Sequence, residues 1–217
     1  MKIALLGATG FVGSAIRQEA LDRGHEVTAI VRHPEKLPSQ PGLKAVAADV
    51  TDVAALAQAI SGSEAVISAF NPGWTPGTVR PEMYDEQVRG TSAILAAARQ
   101  AGTRRPLWVG GAGGLEVAPG VALIDTPEFP DWIKPGSRAT SKALEQLRSE
   151  PDLDWTFLAP SALLEPGERT GKFRLGGDQL LVDAQVQSRI SVQNYAVAMI
   201  DELEQPRHSG QRFTVGY

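Results

Sequence analysis

Short apolar runs alternate with longer amphipathic stretches through the first two thirds of the chain. The runs Lys2–Leu6, Glu26–Val31, Lys44–Ala47, Ala65–Ala69, Pro106–Val109 and Trp155–Ala159 have the length and composition of buried strands. Helical spacing between them predicts helices over Phe11–Arg23, Val53–Ile60, Tyr84–Ala101 and Ser137–Ser149. In the first of these, Phe11, Val12, Ala15, Ile16, Ala20 and Leu21 form the apolar stripe expected to face a sheet. Gly24 and Gly102 each stand one residue past a helix, where the chain favours a left-handed conformation. Strands alternating with helices predict an α/β fold, a doubly wound parallel sheet covered on both faces. The reading is one domain over residues 1–217, in which roughly residues 160–217 form a small portion covering the substrate side.

Two stretches break the periodicity, Asn71–Glu82 and Gly110–Gly136. Both follow strand C-termini, where open α/β sheets hold their ligands. Long loops in a compact domain are more often functional than accidental, although a plain surface excursion has the same sequence signature.

The first strand runs into glycines spaced as Gly7, Gly10 and Gly13, and a helix follows at once. Gly7 permits the tight turn, Gly10 lets backbone approach a phosphate, and Gly13 lets the helix pack close to the strand. The helix start then offers free N–H groups and the positive end of its dipole to an anion. Such a strand–turn–helix order predicts a Rossmann-like dinucleotide site, with Gly7, Thr9, Gly10, Phe11, Val12 and Gly13 around the pyrophosphate.

Composition narrows the function classes. At 217 residues and 42% hydrophobic content, the chain can bury one substantial core. A net charge of −4 offers no broad basic surface for nucleic acid. There are no cysteines, so disulfides, thiolate metal sites and cysteine nucleophiles are excluded. The three histidines, His25, His33 and His208, lack metal-ligand spacing, and no metal is expected. No GxSxG elbow or GxxxxGK loop supports hydrolase or P-loop chemistry. The chain enters a core strand directly, and no apolar run is long enough to span a bilayer, which reads as a soluble cytoplasmic protein with no membrane partner. Nothing sets the oligomeric state beyond the absence of a coiled-coil heptad.

Candidate ligand contacts follow from strand ends. An NAD-binding site usually carries a carboxylate after the second strand, to accept from the ribose 2′-hydroxyl. Arg32 stands there instead, and its planar fork suits a 2′-phosphate, so NADP(H) is favoured over NAD(H). The alternative is a solvated surface arginine. Asp49 and Val50, after the third strand, are placed to flank the adenine, while Asp49 also suits an N-cap or turn. Ser68, Ala69 and Phe70 end the fourth strand, where small residues leave room for the nicotinamide half. Lys142, in the helix after the fifth strand, is a candidate for the nicotinamide ribose, or else a surface lysine paired with Glu145 or Gln146.

With these residues in hand, the chain resembles the atypical short-chain dehydrogenase/reductases. More narrowly, it resembles the bacterial NADH-flavin reductase group of NAD(P)H-binding proteins, related to the NmrA-like and biliverdin-IXβ/flavin reductase proteins. The likeness is carried by GATGFVG (Gly7–Gly13), AADVTD (Ala47–Asp52), VGGAGGLEVAPG (Val109–Gly120), the stretch Asp154–Asp178 with EPGERTGKFR, and Ser188–Glu204. It implies an NAD(P)H-dependent oxidoreductase acting on a flavin, quinone or similar conjugated acceptor. The larger family places a catalytic tyrosine four residues before the lysine, and counting back from Lys142 gives Arg138. Arginine holds its proton too tightly to act as a general acid. Hydride transfer to a flavin or quinone suits a site without that tyrosine, because the proton can come from water.

Tyr84, Ser161 and Lys142 remain weak catalytic candidates; Tyr195 fits a packed amphipathic helix better. Phe70, Trp74 and Trp132 are candidate stacking platforms, each equally suited to plain packing. Gly111 and Ala112 stand in GGAGG, where a typical member has its catalytic serine. Pro160 and Ser161 resemble the segment that caps the nicotinamide carboxamide, although Ser161 also suits a turn cap. Two alternatives stay open. One is an NmrA-like sensor that binds the dinucleotide and reports redox state to a protein partner without turnover. The other is a reductase or isomerase of a specialised metabolite.

Overall fold

The computed structural model describes residues 1–75 and 77–217; residue 76, inside the Asn71–Glu82 stretch, lies outside them. Eight strands form one sheet: β1 Lys2–Leu6, β2 Glu26–Val31, β3 Leu43–Ala47, β4 Ala65–Ser68, β5 Pro106–Val109, β8 Thr156–Ala159, β10 Arg174–Gly176 and β12 Gln211–Gly216. Two small parallel or antiparallel pairs sit outside it, β6 Glu116–Ala118 with β7 Val121–Ala122, and β9 Leu163–Glu165 with β11 Arg189–Ser191. The large sheet runs β10-β12-β8-β5-β4-β1-β2-β3, parallel except where β10 pairs antiparallel with β12. Its order turns back on itself at β1 and β4, so the connections leave in opposite directions and open a crevice at the strand C-termini.

Helices α1 Phe11–Asp22, α2 Val53–Ile60, α3 Met83–Gln100, α4 Lys134–Arg148 and α5 Val192–Glu204 cover both faces. Ile3 and Leu5 look into the core shared with α1 and α5, whereas Ala4 and Leu6 look into that of α2, α3 and α4. That alternation explains why β1, β4 and β8 read as continuous apolar runs: both faces of each strand are covered.

Four differences from the sequence-based reading have local causes. On α1, Ile16 and Ala20 are buried and Val12, Ala15 and Leu21 pack against the same core as expected, but Phe11, about 200° around the helix from the buried Gly13, is 50% exposed. Helix α4 starts one turn early because Pro135 fits a first turn, where no N–H is needed. The Gly110–Gly136 stretch holds the β6–β7 hairpin, and Glu116 exchanges backbone bonds of 2.9 Å with Asp178 and Leu180. The C-terminal portion adds strands to the main sheet itself, through β10 and β12. Gly24 and Gly102 take the expected left-handed conformation, at φ 79° and 74°. Tyr195 is wholly buried on α5 and donates to Leu158 O at 2.7 Å, and burial pushes its phenol far above the usual range.

Candidate dinucleotide site

The glycine turn is shaped by contacts that admit no side chain. Gly7 has φ 73°, and a Cβ there would lie 2.2 Å from Ala69 O. A Cβ on Gly13 would lie 2.1 Å from Gly7 O, so α1 rests directly on the turn. Gly10 is the N-cap of α1 and gives it no side-chain cap. The first-turn N–H groups of Phe11, Val12 and Gly13 therefore face outward without a side-chain partner, in the geometry that receives an anion. These features fit a dinucleotide pyrophosphate.

A cleft of about 570 Å³ opens from this turn. Gly7, Thr9, Gly10, Arg32, Asp49, Val50, Ala69 and Phe70 line it, whereas Phe11, Val12 and Gly13 are not among its lining residues. Asp49 Oδ1 accepts from the Thr51 hydroxyl at 2.6 Å and from the Thr51 N–H at 2.8 Å. These two bonds, with a smaller contribution from Arg32, hold the Asp49 carboxyl below the usual carboxylate range. Asp49 is thus a turn residue, and Asp52 is the cap of α2, accepting from Ala55 N at 3.0 Å. Sequence reasoning missed Asn71, Arg80, Glu86 and Arg89, which wall the cleft from the β4–α3 loop and from α3. The chain carries a faint sign of the last two, a charged pair at helical spacing just before Gly90. Phe70 lies over that glycine, where a Cβ would be 2.3 Å from its ring.

The other half of the site differs from the sequence-based picture. Ser68 is buried at the end of β4. Lys142 does not line the cleft; its ammonium donates to Glu145 Oε2 at 2.8 Å on the outer face of α4. That bond, with Tyr84 adding to it, raises the Lys142 pKa above the ordinary lysine range. Arg138 is exposed on the same side of α4, and Tyr84 is half-buried in the first turn of α3. Trp74 is no open platform. It is 9% exposed, lies on Gly136, where a Cβ would be 2.7 Å from the indole, and donates through Nε1 to Gln87 Oε1. Gln87 in turn donates to Thr140 at 3.3 Å, and Thr140 packs on Gly111.

A single turn of 3₁₀ helix begins at Ala112, and Gly113 meets Ser137 so closely that a Cβ would overlap its hydroxyl. The small residues after β5 are therefore the seat of α4. Pro160 and Ser161 are buried, and the Ser161 hydroxyl donates to Val215 O at 2.9 Å, turned into the fold rather than toward a ligand. Trp132 is 43% exposed in a short 3₁₀ turn and does not line the cleft.

Among the contacts that tie the C-terminal portion to α1 is a buried carboxylate. Glu19 of α1, 4% exposed, receives Arg169 through a fork of 2.6 and 2.7 Å and Arg23 at 2.7 Å. Burial works to raise its pKa, but the two guanidinium groups outweigh it and hold the carboxyl below the usual range.

The fold and this cleft define a nicotinamide-dinucleotide-binding protein of the short-chain dehydrogenase/reductase type. Residues 7–203 match the NAD(P)H-binding family, and the chain belongs to it. The uncharacterised Bacillus subtilis protein YwnB is 41% identical over 218 residues, spanning 99% of this chain and 98% of its own. Among solved structures, a Bacteroides thetaiotaomicron protein provisionally described as an epimerase is 48% identical. It covers 100% of this chain and 96% of its own, with a TM-score of 0.91. A Streptococcus pneumoniae protein provisionally described as an NADH-flavin reductase is 34% identical, over 100% and 99% of the two chains, with a TM-score of 0.84. No described helix is long and apolar enough to cross a membrane.

Proposed function

We propose that this NAD(P)H-dependent oxidoreductase prefers NADPH and delivers hydride to a flavin, quinone or similar conjugated acceptor, without a side-chain acid. One observation carries the reading: the glycine turn opens into a cleft that Arg32, Asp49 and Val50 line, while Arg138 and Lys142, at the α4 positions where the larger family has its tyrosine and lysine, do not line it. The similarity to the Streptococcus pneumoniae protein supports the choice of acceptor.

A reduced nicotinamide supplies the hydride when bound, and the acceptor takes its proton from water. This chain's residues then bind, orient and exclude solvent. Gly7, Gly10 and Gly13 bring backbone against the pyrophosphate, with the α1 N–H groups of Phe11 and Val12 donating to it. Arg32 receives the 2′-phosphate as a fork, and Asp49 offers its second carboxylate oxygen to the adenine edge beside Val50. Phe70 walls the passage to the nicotinamide half. The portion from about residue 160 onward covers the acceptor side, held to α1 by the Arg169–Glu19 fork.

The test is the loss of reduced-nicotinamide absorbance with riboflavin, flavin mononucleotide and small quinones offered in turn, beside a fluorescence titration with NADPH and NADH. Acceptor-dependent oxidation with tighter NADPH binding is the expected result. Tight binding without turnover on any acceptor would overturn the reductase in favour of a dinucleotide-responsive binding protein.

A further inference from the structure

The cleft is lined by Arg32 and Asp49, which follow β2 and β3, and by Arg80, Glu86 and Arg89, from the β4–α3 loop and α3. Three arginines against two carboxylates leave its lining cationic. Both carboxylates are already engaged: Thr51 holds Asp49, and Arg80 holds Glu86 through a fork of 3.2 and 3.0 Å. Neither Arg32 nor Arg89 makes a hydrogen bond or close ion pair among the described residues, and Arg32 acts on Asp49 only through its charge. Both guanidinium groups line one small cleft, Arg32 from the residue after β2 and Arg89 from α3.

The approach of Arg89 is built into α3. Gly90, next to it, has no side chain, and the Phe70 ring fills that space. This contact seats the second turn of α3 against the residues that follow β4, and Arg89 in that turn lines the cleft.

A phosphate monoester carries close to two negative charges near neutral pH, about twice what one guanidinium neutralises. A planar fork also presents only one edge to it, leaving phosphate oxygens free for a second donor. We propose that Arg89 is the second specificity-determining cation of this site, closing on the 2′-phosphate of NADPH from α3 while Arg32 holds it from β2. The assignment rests on the NADPH reading above. In it, Glu86 has the complementary part of occupying Arg80, so that two cations and not three face a dianion.

Dissociation constants for NADPH, NADH and 2′,5′-ADP would be measured on the wild type, Arg32→Ala, Arg89→Gln and Arg89→Lys. Arg89→Gln should weaken NADPH and 2′,5′-ADP about tenfold and NADH less than about twofold. Arg89→Lys, which keeps charge but loses the fork, should fall between. Arg89 is exposed, so thermal melting should be unchanged and the variant should fold. Equal weakening of NADPH and NADH would overturn the proposal in favour of contact with the adenine or diphosphate. A wild-type preference for NADPH that Arg89→Gln leaves intact would remove Arg89 alone. No wild-type preference at all would remove the NADPH reading, and this assignment with it.

Discussion

The two halves of the cleft are built by different means. The adenosine–pyrophosphate half is a backbone device: Gly7 against Ala69, Gly13 against Gly7, and an uncapped α1. The half beyond β5 is a side-chain device, and here its side chains serve packing. Trp74 fills the surface over Gly136, Gln87 and Thr140 join α3 to α4, and Ser137 sits in the space that Gly113 leaves. Backbone geometry constrains every residue that forms it, so it persists when chemistry changes.

The largest expected effect attacks the backbone half. Gly13→Ala places a Cβ 2.1 Å from Gly7 O, and neither the strand nor α1 can yield without opening the turn. The variant should lose at least about 2 kcal/mol of stability and weaken NADPH more than about a hundredfold. Thermal melting and a fluorescence titration would check both. A stable variant that binds normally would mean that the close approach is not what makes the site.

Next comes charge reversal within that half. Arg32→Asp should weaken NADPH about a hundredfold and leave NADH within a few-fold, because a carboxylate repels the 2′-phosphate but accepts from a 2′-hydroxyl. Calorimetry with the two cofactors reads the ratio directly. Unchanged NADPH affinity would make Arg32 a solvated surface residue and reduce the adenosine half to its glycines.

Trp74→Phe tests the side-chain half. It keeps the aromatic surface over Gly136 but removes the donor to Gln87 Oε1, a buried acceptor. The expected cost is about 1–3 kcal/mol in denaturant unfolding, with NADPH affinity unchanged. Loss of turnover at full stability would restore Trp74 as a stacking platform and blur the contrast between the halves.

What the sequence disclosed follows the same division. The glycine turn, and the strand ends that put Arg32, Asp49 and Val50 on the cleft, were legible because each depends on local order: strand, turn, helix start, strand end. Trp74, Ser161 and Lys142 were readable only as residue types. Their partners, Gln87, Val215 and Glu145, lie 13, 54 and 3 positions away, and only Glu145 falls at a helical spacing that sequence reasoning could weigh. Arg80, Glu86 and Arg89 escaped notice because their place in the cleft depends on how α3 seats on β4, through Phe70 and Gly90. The strands β10 and β12 were missed as sheet members for a related reason. Short runs such as Arg174–Gly176 carry no periodicity, and pairing across 40 residues makes them strands.

The smallest expected effect is the sharpest test of what α4 has become. By sequence, Lys142 is a candidate contact to the nicotinamide ribose and a weak catalytic candidate. Here the Lys142 ammonium is held by Glu145 on an exposed face, and Glu145 raises its pKa, so it stays protonated through the neutral range. Lys142→Met should therefore change NADPH affinity and acceptor-dependent turnover by less than about twofold, since an exposed pair of this kind is worth little. The pH profile of turnover should keep its shape, because a group titrating above the ordinary lysine range contributes no step near neutrality. A large loss of turnover, or a profile that shifts with the substitution, would show that α4 swings Lys142 into the site when cofactor binds. The second half of the cleft would then be assembled by the ligand rather than given over to packing.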